Sequence, residues 1–130
     1  MKSLLATIIC LFSINIIYSS TIIVCKTCDI SNISMAIDKA KNHDTIIIRN
    51  GTYSEFDIEI NKPIKIIGEQ AIIDAQFKGG GFNIKSDSVS LSNLKINNIK
   101  RSYTKDIAGV VAYKSNLLLI ENIEFNNLII

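Results

Sequence analysis

The segment Ser92-Asn93-Leu94-Lys95-Ile96-Asn97-Asn98 is echoed by Glu121-Asn122-Ile123-Glu124-Phe125-Asn126-Asn127, an offset of 122 − 93 = 29 residues. A period in this range belongs to architectures in which each unit buries its apolar face only against its neighbours. Within the unit, Leu94 and Ile96, then Ile123 and Phe125, alternate with Asn or a charged residue, which is the period of a strand. Asn at the corner after each strand tolerates the left-handed backbone conformation and can bond its own neighbours. Short strands with an Asn corner at one repeating position predict an all-β, right-handed parallel β-helix. Leu94, Ile96, Ile123 and Phe125 are expected to point inward, with Asn97 above Asn126 and their amides bonded to each other.

The middle of the chain keeps the same rhythm. Ile46-Ile47-Ile48, Ile58 with Ile60, Ile64 with Ile66 and Ile67, Ile72-Ile73, Phe82 with Ile84, and Val89 with Leu91 are short apolar blocks separated by Gly, Asn, Asp or Lys-Pro. Their β-branched side chains suit a pleated, half-buried strand. Laying Ile64-Lys65-Ile66 over Val89-Ser90-Leu91 gives a shift of 89 − 64 = 25, so successive coils differ in length. A β-sandwich is disfavoured, because nothing in it makes Asn corners recur at a constant offset. Asn50-Gly51-Thr52 reads as a tight turn. Gly79-Gly80-Gly81 lacks the Lys-Ser/Thr and the helix that a phosphate cradle needs, and reads as a flexible loop entering the strand at Phe82.

Ahead of the strands, Ile30, Ile33 and Ile37 are spaced three and four apart, and Ala36 and Ala40 four apart, which predicts a short helix from about Ser31 to Lys41. Asp29 or Ser31 can cap its start. Such a helix covers the open first coil, since a stack needs a cap at each end. Met35 is assigned to its core face and His43 to an exposed turn after it.

Lys2, the apolar run Leu4 to Ile17 and then Tyr18-Ser19-Ser20 have the order of a secretory signal cleaved near Ser19 or Ser20. The run is short for a membrane span. Residues 1–20 are therefore read as a signal peptide and residues 21–130 as β-helix coils of an exported, periplasmic protein. Removing the signal takes Cys10 and leaves Cys25 and Cys28. A pair in an exported chain favours a disulfide, while the Cys-Lys-Thr-Cys spacing also permits a redox pair or two thiolates on a soft metal such as Cu(I). The net charge of +2 is spread without a basic stripe and the chain has no Trp, so nucleic acid is not an expected partner. The chain stops at Leu128-Ile129-Ile130 just after a strand, and a truncated product or part of a longer stack is expected.

Between strands, Arg101-Ser102-Tyr103-Thr104-Lys105-Asp106-Ile107-Ala108-Gly109 interrupts the rhythm and lengthens its coil. Loops raised from a rigid stack tend to carry binding groups. Arg101, Tyr103, Lys105, Asp106 and Gly109 are the candidates for partner contact. No catalytic residue is assigned, because Asp57 and Glu59 would share one strand face yet no second carboxylate pair stacks on them.

Ile37-Asp38-Lys39-Ala40, Asp44 to Tyr53, Asn61-Lys62-Pro63-Ile64-Lys65-Ile66-Ile67-Gly68 and Ile73-Asp74 resemble the start of periplasmic β-helix proteins of the carbohydrate-binding and sugar-hydrolase type, which have a pectin-lyase-like fold. Tyr103-Thr104-Lys105-Asp106-Ile107-Ala108-Gly109-Val110 is similar to the Tyr-x-x-Asp-x-Ala-Gly-Ile signature of the NosD family of nitrous oxide reductase maturation proteins. Here Lys105 stands in place of an acid, Ile107 in place of Arg, and His43 in place of a helix-ending Gly. The resemblance implies an exported accessory protein, not an enzyme, that supports assembly of the reductase's catalytic copper-sulfur centre together with a membrane transporter. By the same resemblance copper is the metal of that system, but two thiols, Cys25 and Cys28, one His and one internal Met make no rich copper site, so a scaffold that presents a β-helix face to the reductase or binds a small precursor is expected rather than a copper carrier. The alternative is a polysaccharide-binding or polysaccharide-cleaving β-helix protein.

Overall fold

The computed structural model describes residues 14, 16, 18–104 and 106–126. The apolar run read as a signal, Lys105 and the terminal Leu128-Ile129-Ile130 lie wholly or mostly outside those residues. Among the described residues no helix is long and apolar enough to cross a membrane.

Among the described residues the strands are β1 (Thr21–Val24), β2 (Thr45–Ile48), β3 (Gly51–Tyr53), β4 (Ile58–Ile60), β5 (Lys65–Asp74), β6 (Phe82–Ile84), β7 (Ser90–Asn97), β8 (Val110–Ala112) and β9 (Leu119–Asn126), with one helix, α1 (Ile33–Lys39), between β1 and β2. Every pairing is parallel and joins one coil to the next. One sheet runs β1-β2-β5-β7-β9 with β3 beside β5, and a second runs β4-β6-β8. The chain is thus a parallel β-helix of about 4 turns.

Both sequence offsets are coil registers. Lys65 pairs with Ser90 and Ile66 with Leu91, while Leu94 pairs with Ile123, Ile96 with Phe125 and Asn97 with Asn126. The interior is a set of apolar rows, mostly aliphatic: Ile46, Ile66 and Leu91; Tyr53, Ile73 and Ile96; Ile58 and Phe82; Ile60 and Ile84, all at 2% exposure or less. Each such side chain contributes about 1.5–3 kcal/mol of transfer free energy. The inward reading holds for Leu94 and Ile96 and weakens at the last coil. Ile123 is half-buried and Phe125 41% exposed, because no further coil lies over β9 among the described residues.

Asn does turn the corners, but at positions the repeat alone does not single out. Asn93, Asn98 and Asn122 all have φ between 51° and 58°. The stacked amide bond is Asn122 Nδ2 to Asn93 Oδ1 at 2.9 Å, and Asn98 Nδ2 donates to Asp74 Oδ1 at 2.9 Å. Asn97 and Asn126 are in register yet not bonded through their side chains. Asn126 Nδ2 donates to Glu124 instead, and Asn97 Oδ1 is buried without a partner among the described residues. In β7 and β9 the bend at Asn93 and Asn122 aims those two side chains along the stack, whereas Asn97 and Asn126 end their strands.

Three local expectations change. Asn50-Gly51-Thr52 is not a tight turn, since Gly51–Tyr53 continues as a strand pairing in parallel with Ala71–Ile73. The three glycines are not a flexible loop. They are buried, and Gly81 N–H donates to Ala108 O at 3.0 Å while Asp57 and Ile58 N–H donate to the carbonyls of Gly80 and Gly81. Met35 is 37% exposed and lies off the core face.

The helix does cover the first coil, with Ile33, Ala36 and Ile37 buried against β1, β2 and β4. Its cap is Asn32, whose Oδ1 accepts from Met35 N–H at 2.7 Å, rather than Asp29 or Ser31. Glu55, from the corner before β4, adds a second cap: its carboxylate accepts from Ile33 N–H at 2.7 Å and from Ser34 N–H at 3.0 Å. The helix is thereby bound to the coil through both its apolar face and its first turn. His43 is exposed in a left-handed turn, φ 72°, where a Gly would be at ease.

Asp44 follows it and is 2% exposed. Its Oδ2 accepts from Lys41 N–H at 2.8 Å and its Oδ1 from Ser20 N–H at 2.9 Å. These two bonds, the Lys41 amide first, hold its carboxyl below the ordinary carboxylate range. A lowered folded pKa adds stability above the unfolded value of about 3.9, and that stability is lost as pH falls through the folded value. The melting temperature should therefore drop in acid below about pH 4, and Asp44→Asn should flatten part of that drop. Thermal unfolding followed by circular dichroism across this range checks it.

Candidate functional site

The loop between β7 and β8 stands on the edge of the smaller sheet, and both of its ends are tied down. Ile99 is buried at 5% exposure and Lys100 N–H donates to Gly79 O at 2.9 Å. At the other end Ala108 O accepts from Gly81 N–H at 3.0 Å and Gly109 O from Phe82 N–H at 2.9 Å. Gly109 is buried, and a Cβ there would collide with the Phe125 ring. Its place is at the loop's base, where it also borders the apolar hollow beside Phe125.

Between these anchors the predicted contact residues are presented outward. Tyr103 is 82% exposed, and the Arg101 guanidinium lies 4.8 Å from its ring centroid. Asp106 is exposed as well. Lys105 lies outside the described residues. The structure thus brings Arg101 and Tyr103 together as a cation-π pair and sets Asp106 on the other flank of the loop.

Two hollows flank it. One, of about 630 Å³, is mainly apolar and runs from Ile99 and Ile107 to Ile120 and Phe125. The other, of about 560 Å³, is polar and is lined among others by Asp57, Lys78, Asn83, Lys100, Asp106 and Tyr113. The coil registers place these groups. Ile58 pairs with Phe82 and Phe82 with Val110, so the outward positions Glu59, Asn83 and Val111 form one row and the residues before and after it frame the groove. Lys85 Nζ pairs with Glu59 at 3.0 Å and lies 5.9 Å from the Tyr113 ring centroid.

Of the lining residues, the sequence points to Asp106 as a contact candidate and to Asp57 only as an unpaired carboxylate. The others come from three different coils with offsets of 82 − 58 = 24 and 110 − 82 = 28, and aligning those coils is the signal that would have found them. Asp57 and Glu59 do not share a strand face. Asp57 has φ 49° and precedes β4, and its Oδ1 accepts from Gly80 N–H at 2.8 Å, whereas Glu59 is held by Lys85. What the groove offers is a mixture of ammonium, carboxylate, amide and phenol groups for a polar ligand or surface.

Cys25 and Cys28 are joined in a disulfide with a Cα–Cα distance of 5.0 Å. In that form neither sulfur is a thiolate, so the pair does not fit a copper ligand set. Among the described residues no three His, Cys, Asp or Glu side chains gather as a metal-binding group. The disulfide turn packs beside Tyr53, with Lys26 Nζ 4.5 Å from its ring centroid. The Tyr53 hydroxyl donates to Arg49 O at 2.9 Å, and burial, then the nearby Glu55 charge, push its pKa up, so it remains a neutral phenol.

No family model, no curated protein and no solved structure matches this chain.

Proposed function

We propose that this chain is an exported, non-enzymatic accessory protein whose β-helix holds the 101–109 loop against a protein partner. By the likeness of Tyr103 to Val110 to the NosD signature, that partner is nitrous oxide reductase during assembly of its copper-sulfur centre, with a membrane transporter of the same system. The observation that carries the reading is a loop locked at both ends with an exposed Arg101–Tyr103 pair at its crest. Arg and Tyr are the side chains that most often carry binding energy at interfaces, and a fixed base limits the ordering cost of contact. Copper enters as the partner's cargo rather than as a metal resident in this chain.

The test is complementation of a maturation-deficient strain. Tyr103→Ala with Asp106→Ala should leave the circular dichroism spectrum unchanged. It should lower nitrous oxide reduction about tenfold or more, the effect of losing about 1.4 kcal/mol of contact, with the reductase short of copper. Cys25→Ser with Cys28→Ser should change copper content little. Loss with the cysteine variant and none with the loop variant would reverse the assignment in favour of thiolate copper handling.

The polar groove favours a second reading, saccharide binding beside the same loop. Titration calorimetry with oligosaccharides, repeated on Asn83→Ala and Tyr113→Ala, separates the two. Binding that both variants weaken supports the saccharide, and no heat from the parent protein removes it.

A further inference from the structure

Asp44 is buried; its carboxylate is bonded by the neutral backbone amides of Lys41 and Ser20 and by the Ser20 side chain, and the Lys41 charge acts on it from beyond ion-pair distance. No cationic side chain among the described residues lies within ion-pair distance of it. A buried carboxylate is costly without a countercharge. One of the donors is Ser20 N, 2.9 Å from Oδ1, at the junction of the leader and the first strand. Residue 20 is also held on its other side, where its carbonyl accepts from Thr45 N–H at 2.9 Å.

We infer that the leader is cut between Ser19 and Ser20, and that the α-ammonium released on Ser20 becomes the countercharge of Asp44. The step is a hydrolysis by a signal peptidase. Water adds across the Ser19–Ser20 peptide bond, a carboxylate leaves on Ser19, and an amine is left on Ser20. That amine is protonated near neutral pH, since a free α-amine has a pKa of about 7.7–8.0.

A cut one residue later would remove both the donor to Oδ1 and the strand bond from Thr45, leaving a buried carboxylate oxygen unpaired. The local sequence agrees. A signal peptidase site is A-x-A-like, and a cut after Ser20 places the bulky Tyr18 in its outer small position. A cut after Ser19 places Ile17 there, which is the smaller of the two, and keeps Ser at the inner one. Tyr18 and Ser19 are exposed, and what a cut after Ser19 removes from the described fold is the Ser19 Oγ bond to His43 O.

The inference rests on the export reading, and one experiment distinguishes their failures. The full chain is expressed in an exporting bacterium, recovered from the periplasm, and its amino terminus determined by intact mass and terminal sequencing. A start at Ser20-Thr21-Ile22 is expected. A periplasmic protein that starts anywhere other than Ser20, an uncut leader included, overturns the cut site alone, and a chain found only in the cytoplasmic fraction with residue 1 intact overturns the export reading with it.

The countercharge has its own measurement on chain beginning at Ser20. Acetylating the α-amine should lower the melting temperature by about 4 °C or more in the parent and leave Asp44→Asn unmoved. An equal response of both, or none in either, overturns the ion pair. Should Asp44→Asn fail to fold, the α-amine pKa of the parent decides, read by NMR after isotopic methylation. A value above the ordinary range supports the pairing, and one within it does not.

Discussion

Ile37→Asp should yield no soluble, folded protein. Ile37 is 2% exposed at the middle of α1, facing β1, β2 and β4. An ionised carboxylate there has no partner, and its desolvation costs several kcal/mol on top of the lost apolar contact. That sum is comparable with the whole stability of a small domain. Withdrawing the helix would also uncover Val24, Ile46 and Ile58 at the end of the stack, an apolar edge open to association. Ile37→Ala is the graded companion and should cost about 2–5 kcal/mol by denaturant unfolding. A soluble Ile37→Asp protein with native circular dichroism would mean that α1 is not the cap. Glu55→Gln should weaken the same docking modestly, since it keeps an acceptor and loses the charge facing the first-turn amides.

Gly81→Val should destabilise the coil by about 3 kcal/mol or more, near the upper end for overpacking a closed site. A Cβ at this position would collide with the carbonyl oxygen of Gly109, and Ile96 Cδ1 lies 3.1 Å from it on another side. The carbonyl cannot move aside cheaply, because it accepts from Phe82 N–H at 2.9 Å and carries the register of β6 with β8. Relief would have to shift the base of the 101–109 loop, so the variant should lose stability and partner contact together. Urea unfolding measures the first and complementation the second. If Gly81→Val unfolds at the parent's urea midpoint, the close approach of these two corners is not present in solution.

The two residues illustrate why the fold was more legible than the site. Ile37 announces itself through spacing: its partners Ile33 and Ala36 are within one turn, so local periodicity suffices to mark a buried face. Gly81 does not, because what forbids a side chain there is a backbone atom 28 residues away along the chain, 109 − 81. A run of three glycines looks alike whether it is loose or tightly packed. The same blindness assigned Met35 to the core and Asp57 to a strand. Met35 lies off the helix face that the coil covers, and Asp57 turns a corner to reach Gly80 N–H.

The groove beside the loop was hidden for a related reason. Asp57, Asn83 and Asp106 sit on separate coils whose lengths differ, so no single offset aligns them. Of the three, Asp106 alone stands in a segment that breaks the rhythm of the strands.

The parallel β-helix, the coil offsets of 25 and 29 residues and the capping helix are all legible in the order of residues along the chain. These follow from the order of apolar and polar residues, which dictates what must be buried at each turn. The packing of the coils sets which asparagines bond between coils, that Glu55 joins Asn32 in capping α1, that Gly109 lies buried against Phe125 at the loop's base, and that Asp44 receives Ser20. Hydrogen bonds and close backbone approaches depend on angstrom-scale placement of groups from different coils. An apolar pattern specifies the face a residue takes and leaves the partner it meets to the packing of the whole stack.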